Sequence, residues 1–119
     1  MPMKKDAGPL WLSDETVDQV AQIFKVLADP TRIKILYLLS REESGVNRLA
    51  DMLGLSQSAV SHQLRVLKSM RLVKNRRSGQ SILYSCDDEH VISLLCQAID
   101  HAGHEGRDSF GGPSASSSG

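Results

Sequence analysis

The sequence predicts a mainly α-helical fold with a single β-hairpin, in the order α-α-α-α-β-β-α, and three observations carry that prediction. Capping residues followed by apolar side chains at 3-and-4 spacing mark a series of helices. Alternating side chains on either side of Arg77-Ser78-Gly79-Gln80 mark one hairpin. A tight Gly54-Leu55-Ser56 turn joins two of the helices. At 119 residues the chain is one small domain.

Ser13 is an N-cap with Asp14 and Glu15 in the first turn, and Val17, Val20, Ala21, Phe24 and Leu27 follow at helical spacing, so the first helix covers about 14–28. Asp29-Pro30-Thr31 restarts the chain, because proline suits a first helical position and Asp29 caps it. The second helix, about 30–40, is apolar almost all round and is expected to be central. A polar loop, Arg41 to Gly45, leads to a two-turn third helix whose Val46, Leu49, Ala50 and Leu53 stop at Gly54. Ser56 caps the fourth, about 57–69, with Val60, Leu64 and Leu67 on one side and Ser58, Ser61, His62, Arg65 and Ser69 on the other.

The runs Leu72 to Arg76 and Ser81 to Ser85 make the hairpin, with a basic tip. Asp87-Asp88 opens a last helix over about 89–103 with an apolar stripe of Val91, Leu94, Leu95, Ala98, Ile99 and Ala102, and Gly103 reads as its stop. The domain proper is 13–104. Residues 1–12 are expected to be a flexible N-terminal segment, and 105–119, with their Gly/Ser run, a disordered tail.

Composition excludes several classes. The longest apolar run, Ile35 to Leu39, falls far short of the roughly 18 residues needed to cross a bilayer, and a cytoplasmic protein is expected. Cys86 and Cys96 are too few for a disulfide framework and lack the C-x2-C spacing of a structural zinc site, so they read as reduced thiols. A core this small, and a terminal stripe that broad, call for a homodimer to cover them.

The 14 basic and 14 acidic residues cancel, which argues against a nonspecific polyanion binder. The cancellation hides a segregation. Between Asp51 and Asp87 there is no acid, yet that stretch holds Arg65, Lys68, Arg71, Lys74, Arg76 and Arg77, so one face of the fold is expected to be basic.

That stretch coincides with the second of the two helices joined at Gly54 and with the hairpin, which gives the proportions of a winged helix-turn-helix. The second helix of such a pair enters the major groove of double-stranded DNA. Gln57, Ser58, Ser61, His62 and Arg65 then stand where base edges and phosphates are met, and Arg76, Arg77 and Gln80 on the wing reach neighbouring backbone. Similar helix pairs occur in unrelated folds, and it is the location of charge that favours DNA.

Three of the four histidines lie on the last helix. At 100° per residue His90, His101 and His104 share a sector of roughly 60°, but His90 and His101 stand about 16 Å apart along the axis. One helix therefore cannot close a site around a metal that binds imidazole at about 2.0 Å. Two copies packed antiparallel can. Asp88 and His90 of one protomer would then meet His101 and His104 of the other, two sites per dimer, and an N3O set without thiolate suits Zn(II), with Co(II) as the alternative.

Three segments together resemble the ArsR/SmtB family of metal-sensing winged-helix repressors. They are Phe24 to Arg32, Leu55 to Leu64, and Asp88-x-His90 with His101-x-x-His104. The third is similar to the C-terminal-helix site of the zinc- and cobalt-sensing, CzrA-like branch. The resemblance implies a homodimer that holds operator DNA when metal-free and leaves it on binding metal, derepressing efflux or resistance genes. The thiol site that other members carry in the third helix has no counterpart in Gly45 to Leu49. Two rivals stand beside this reading: a redox repressor acting through Cys86 and Cys96, and a zinc-binding dimer module with no operator. No catalytic residue is expected, since four protein ligands leave no open coordination position.

Overall fold

The computed structural model describes residues 11–110, and side chains as far as Gly103. The elements are α1 (Asp14–Leu27), α2 (Pro30–Arg41), α3 (Val46–Leu53), α4 (Gln57–Ser69), β1 (Val73–Ser78), β2 (Ser81–Cys86) and α5 (Glu89–Phe110), in the expected order. The helix starts are fixed by side-chain caps that satisfy otherwise orphaned amides. Ser13 Oγ accepts from the Thr16 amide, Asp29 Oδ1 from those of Thr31 and Arg32, and Ser56 Oγ from that of Ala59.

Helix α2 lies at the centre, with Ile35, Leu36 and Leu39 buried against α3, α4, β2 and α5. Leu49 and Ala50 of α3, Val60, Leu64 and Leu67 of α4, Leu72, Val73, and Val91 and Leu95 of α5 complete the core. Helix α1 buries only Val26 and Leu27 of its last turn, with Ile23 packed half-buried beside them. Its Val17, Val20, Ala21 and Phe24, the periodic positions seen in the sequence, face outward.

Three boundaries differ from expectation. The strands pair from Val73↔Cys86 to Ser78↔Ser81, so Arg77 and Ser78 belong to β1 and the loop is only Gly79-Gln80, with φ +63° at Gly79. A two-residue hairpin loop favours glycine at such a position, which lets the ladder run to its end. Leu72 falls in the α4–β1 junction rather than in the strand. Gly103 does not stop α5, which continues to Phe110. An isolated glycine only weakens a helix unless it takes a left-handed φ, and Gly103 takes none. Of the segment expected as a tail, residues 105–110 have helical backbone, and 111–119 lie outside the described residues, as do residues 1–10 of the expected N-terminal segment.

Candidate nucleic-acid interface and metal centre

Helix α3 ends at Gly54, whose φ of +67° is the left-handed cap that turns the chain, and the Leu55 amide donates back to the Ala50 carbonyl. Helix α4 then starts at its Ser56 cap and seats Val60, Leu64 and Leu67 in the core. The same periodicity turns Gln57, Ser58, His62 and Arg65 to solvent, with Ser61 half-buried. Ser58 Oγ lies 3.3 Å from Ser56 Oγ, which ties it to the cap. Arg32 Nε of α2 donates to Gln63 Oε1 at 2.8 Å and braces α4 from behind.

The α4–β1 junction carries a second left-handed residue, Arg71 at φ +61°. There the Leu72 amide donates to the Leu67 carbonyl and the Asp87 amide to the Leu72 carbonyl, joining α4, the wing and the entry to α5. On the wing, Arg77 and Gln80 are exposed at the tip. Arg76 is held otherwise: its Nε and Nη2 both donate to the Glu43 carboxylate at 2.7 Å. That fork holds the Glu43 carboxyl below the usual carboxylate range and raises Arg76. The neighbouring Ser44, 2% exposed, exchanges two backbone hydrogen bonds with Tyr84, so the α2–α3 loop adds a short third rung to the hairpin. Sequence reasoning missed the Arg32–Gln63, Arg76–Glu43 and Ser44–Tyr84 pairings, each of which joins residues about 30 or more positions apart with no local signature.

Just beyond the wing's second strand, Asp88 caps α5, its Oδ1 accepting from the amides of His90 and Val91 at 3.0 and 3.1 Å. His90 stands beside it, Nδ1 3.9 Å from the same oxygen, with its imidazole wholly open to solvent. His101 is exposed three turns along the same helix. His104 lies on the helical backbone, and its side chain lies outside the described residues. Among the described residues no group of three or more ligating side chains converges within one chain. The structure thus brings Asp88 and His90 together and leaves His101 apart. Leu94 and Ala98, between them, are exposed on α5.

Cys86 donates its thiol to the Leu36 carbonyl at 3.6 Å. Burial, with a smaller contribution from Cys96, pushes it up to about 11, so it stays a thiol and not the thiolate that redox sensing uses. Among the described residues no helix is long and apolar enough to cross a membrane.

A helix-turn-helix with a hairpin wing, and an outward face of serine, glutamine, histidine and arginine, defines a winged helix-turn-helix regulator. Comparison with known proteins gives the family. The model of the bacterial regulatory protein, arsR family, matches residues 29–75. The transcriptional repressor SmtB homolog of Synechocystis sp. is 45% identical over 97 residues, 82% of this chain and 74% of that protein. The cadmium resistance transcriptional regulatory protein CadC homolog of Staphylococcus aureus is 42% identical over 91 residues, 76% of this chain and 75% of that protein. Among solved structures, the homodimeric winged helix-turn-helix DNA-binding domain Mb0332 of Mycobacterium bovis superposes with a TM-score of 0.68 at 31% identity, covering 87% of this chain and 92% of that one. The chain belongs to the arsR family of transcriptional regulators, and it is not an enzyme.

Proposed function

We propose that this regulator is a repressor that binds operator DNA as a metal-free homodimer and is released by Zn(II), with Co(II) as the alternative ligand, derepressing metal efflux or resistance genes. The observation that carries the reading is the layout of α5. It sets Asp88 and His90 at its start, His101 three turns on, and uncovered apolar residues between them. A second copy packed antiparallel covers those residues and brings Asp88 and His90 of one protomer to His101 and His104 of the other. The donor set fits the metal: a carboxylate whose second oxygen is not used by the cap, and an imidazole with no burial to overcome. When bound, the ion supplies a rigid cross-link between the two α5 helices.

Two recognition helices must match half-sites about 34 Å apart, so a small change in dimer angle is enough to misplace them. Gln57, Ser58, Ser61, His62 and Arg65 read the major groove, while Arg77 and Gln80 hold flanking backbone. By linkage, operator and metal weaken each other by the same factor. The names of the SmtB and CadC relatives, and the homodimeric Mb0332, support the reading.

The test is a titration by fluorescence anisotropy of a duplex selected from a random pool by the metal-free protein. Binding is expected to be salt-sensitive, to be lost when Ser58, Ser61 and His62 become alanine, and to weaken at least tenfold with zinc. Equal affinity with and without zinc contradicts the proposal.

A further inference from the structure

The wing carries a brace that binding to DNA does not explain. Arg76 lies on β1 opposite Leu83 of β2, and its guanidinium reaches across to Glu43 in the α2–α3 loop with both donors in place. Glu43 is drawn from outside the acid-free stretch, and Lys74 adds only a weaker long-range attraction to the Arg76 fork. The next residue, Ser44, fixes the loop to β2 through both its backbone groups. Gly45, which follows, sits so close that a Cβ there would lie 3.3 Å from the Ile82 carbonyl oxygen and 3.9 Å from a Leu83 methyl. Backbone pairing, a close approach and a bidentate ion pair therefore act together where the wing leaves the body.

We propose that Glu43 and Arg76 are positioning residues for DNA binding: the fork sets the angle of the wing to α4, and Arg76 spends its charge on Glu43, not on a phosphate. The proposal rests on the reading of α4 and the wing as the DNA-binding surface. A bidentate fork suits this role because its planar geometry fixes direction as well as distance, which a lysine in the same place would not do. The Arg76 side chain is exposed and that of Glu43 half-buried, and the loss of this surface pair is expected to leave the fold intact. The wing tip, with Arg77 and Gln80, would lose its register against the duplex.

The test uses the full-length metal-free dimer and its selected duplex, with affinity measured across a salt series for wild type, Glu43→Gln, Arg76→Ala, the double variant and Arg77→Ala. Circular dichroism and the thermal midpoint check that each is folded. Glu43→Gln and Arg76→Ala are each expected to weaken binding by a similar factor, roughly threefold to tenfold, and the double variant no further than either. The slope of log affinity against log salt stays at the wild-type value in all three, while Arg77→Ala lowers it by about 0.9 for each phosphate left without its cation. Exchanging the charges, Glu43→Arg with Arg76→Glu, is expected to recover affinity. Tighter binding by Glu43→Gln, or a shallower salt slope in Arg76→Ala, makes Arg76 a phosphate ligand masked by Glu43 and overturns the proposal. Wild-type affinity in both single variants overturns it as well. Failure of the wild type itself to bind any duplex removes the DNA reading, and this proposal with it.

Discussion

The reading head, α3 to the wing, and the terminal helices, α1 and α5, are built from the same kind of amphipathic segment, yet one chain completes only the first. Val60, Leu64 and Leu67 of α4 are fully buried, whereas Phe24 of α1 is 54% and Leu94 of α5 40% exposed. The polar groups divide in the same way. Around α4 and the wing, Ser56, Gln63, Asn75 and Arg76 all have partners within the chain. At α5, Asp88 is engaged by its own helix cap, and His90 beside it has its imidazole open to solvent. The difference teaches where a second copy has to act: the helix-turn-helix and wing are packed within one protomer, whereas the proposed metal site requires two.

The largest effect that sharpens this contrast is a pair of substitutions. Leu64→Ala empties a fully buried site and is expected to lower the unfolding free energy by about 2–5 kcal/mol in chemical denaturation. Leu94→Glu, on the uncovered face, is expected to keep the helical circular dichroism and convert the dimer to monomer in sedimentation equilibrium. A Leu94→Glu variant that stays dimeric breaks the comparison.

Asp88 caps α5 and is a ligand in the proposed metal site, and two substitutions separate these roles. Asp88→Ala removes the α5 cap and is expected to cost about 1 kcal/mol of stability as well as zinc affinity. Asp88→Asn keeps the cap acceptor, so stability stays near wild type while zinc affinity measured by competition with a chelator falls.

Arg71 holds a left-handed φ of +61° inside the reading head, between α4 and the wing. Arg71→Gly relieves that strain and is expected to raise stability by up to about 1 kcal/mol, read as a higher thermal midpoint. No change, or a fall, means that the junction depends on the arginine side chain.

The smallest expected effect concerns the thiols. Replacing Cys86 and Cys96 with serine is expected to leave the zinc response of DNA binding unchanged, and its loss would favour the redox rival. Because the folded Cys86 thiol is raised to about 11 from 9.0, the protonated form is the one the fold favours. Its contribution to stability is complete below the unfolded value of 9.0 and disappears as pH climbs to about 11. Alkylation of Cys86 at pH 8 is expected to be slower than that of a free cysteine, as peptide mapping would show.

Most of the fold was legible because its determinants are local. Ser13, Asp29 and Ser56 cap the helices they were expected to cap, and Gly54 turns the chain where the helix pair needed it. Local signals misled where a residue permits two outcomes: Gly103 can stop a helix or sit inside one, and Arg77-Ser78 can be turn or strand. The site was legible as a list of exposed residues, not as a set of pairings. The acid-free stretch predicted a basic face with Arg76 in it, but a linear pattern cannot see Glu43, 33 residues upstream, closing on Arg76. Nor could spacing reveal the Ser44–Tyr84 rung or the Arg32–Gln63 brace behind α4.

Mixing two disabled chains tests most directly the claim that sensing is divided between protomers. One carries Asp88→Asn with His90→Ala, the other His101→Ala with His104→Ala, and neither homodimer should bind zinc tightly. Subunit exchange between them is expected to restore one intact site per heterodimer, about a quarter of the wild-type sites in a statistical mixture. Tight zinc binding by either parent alone, or none after exchange, would contradict the account.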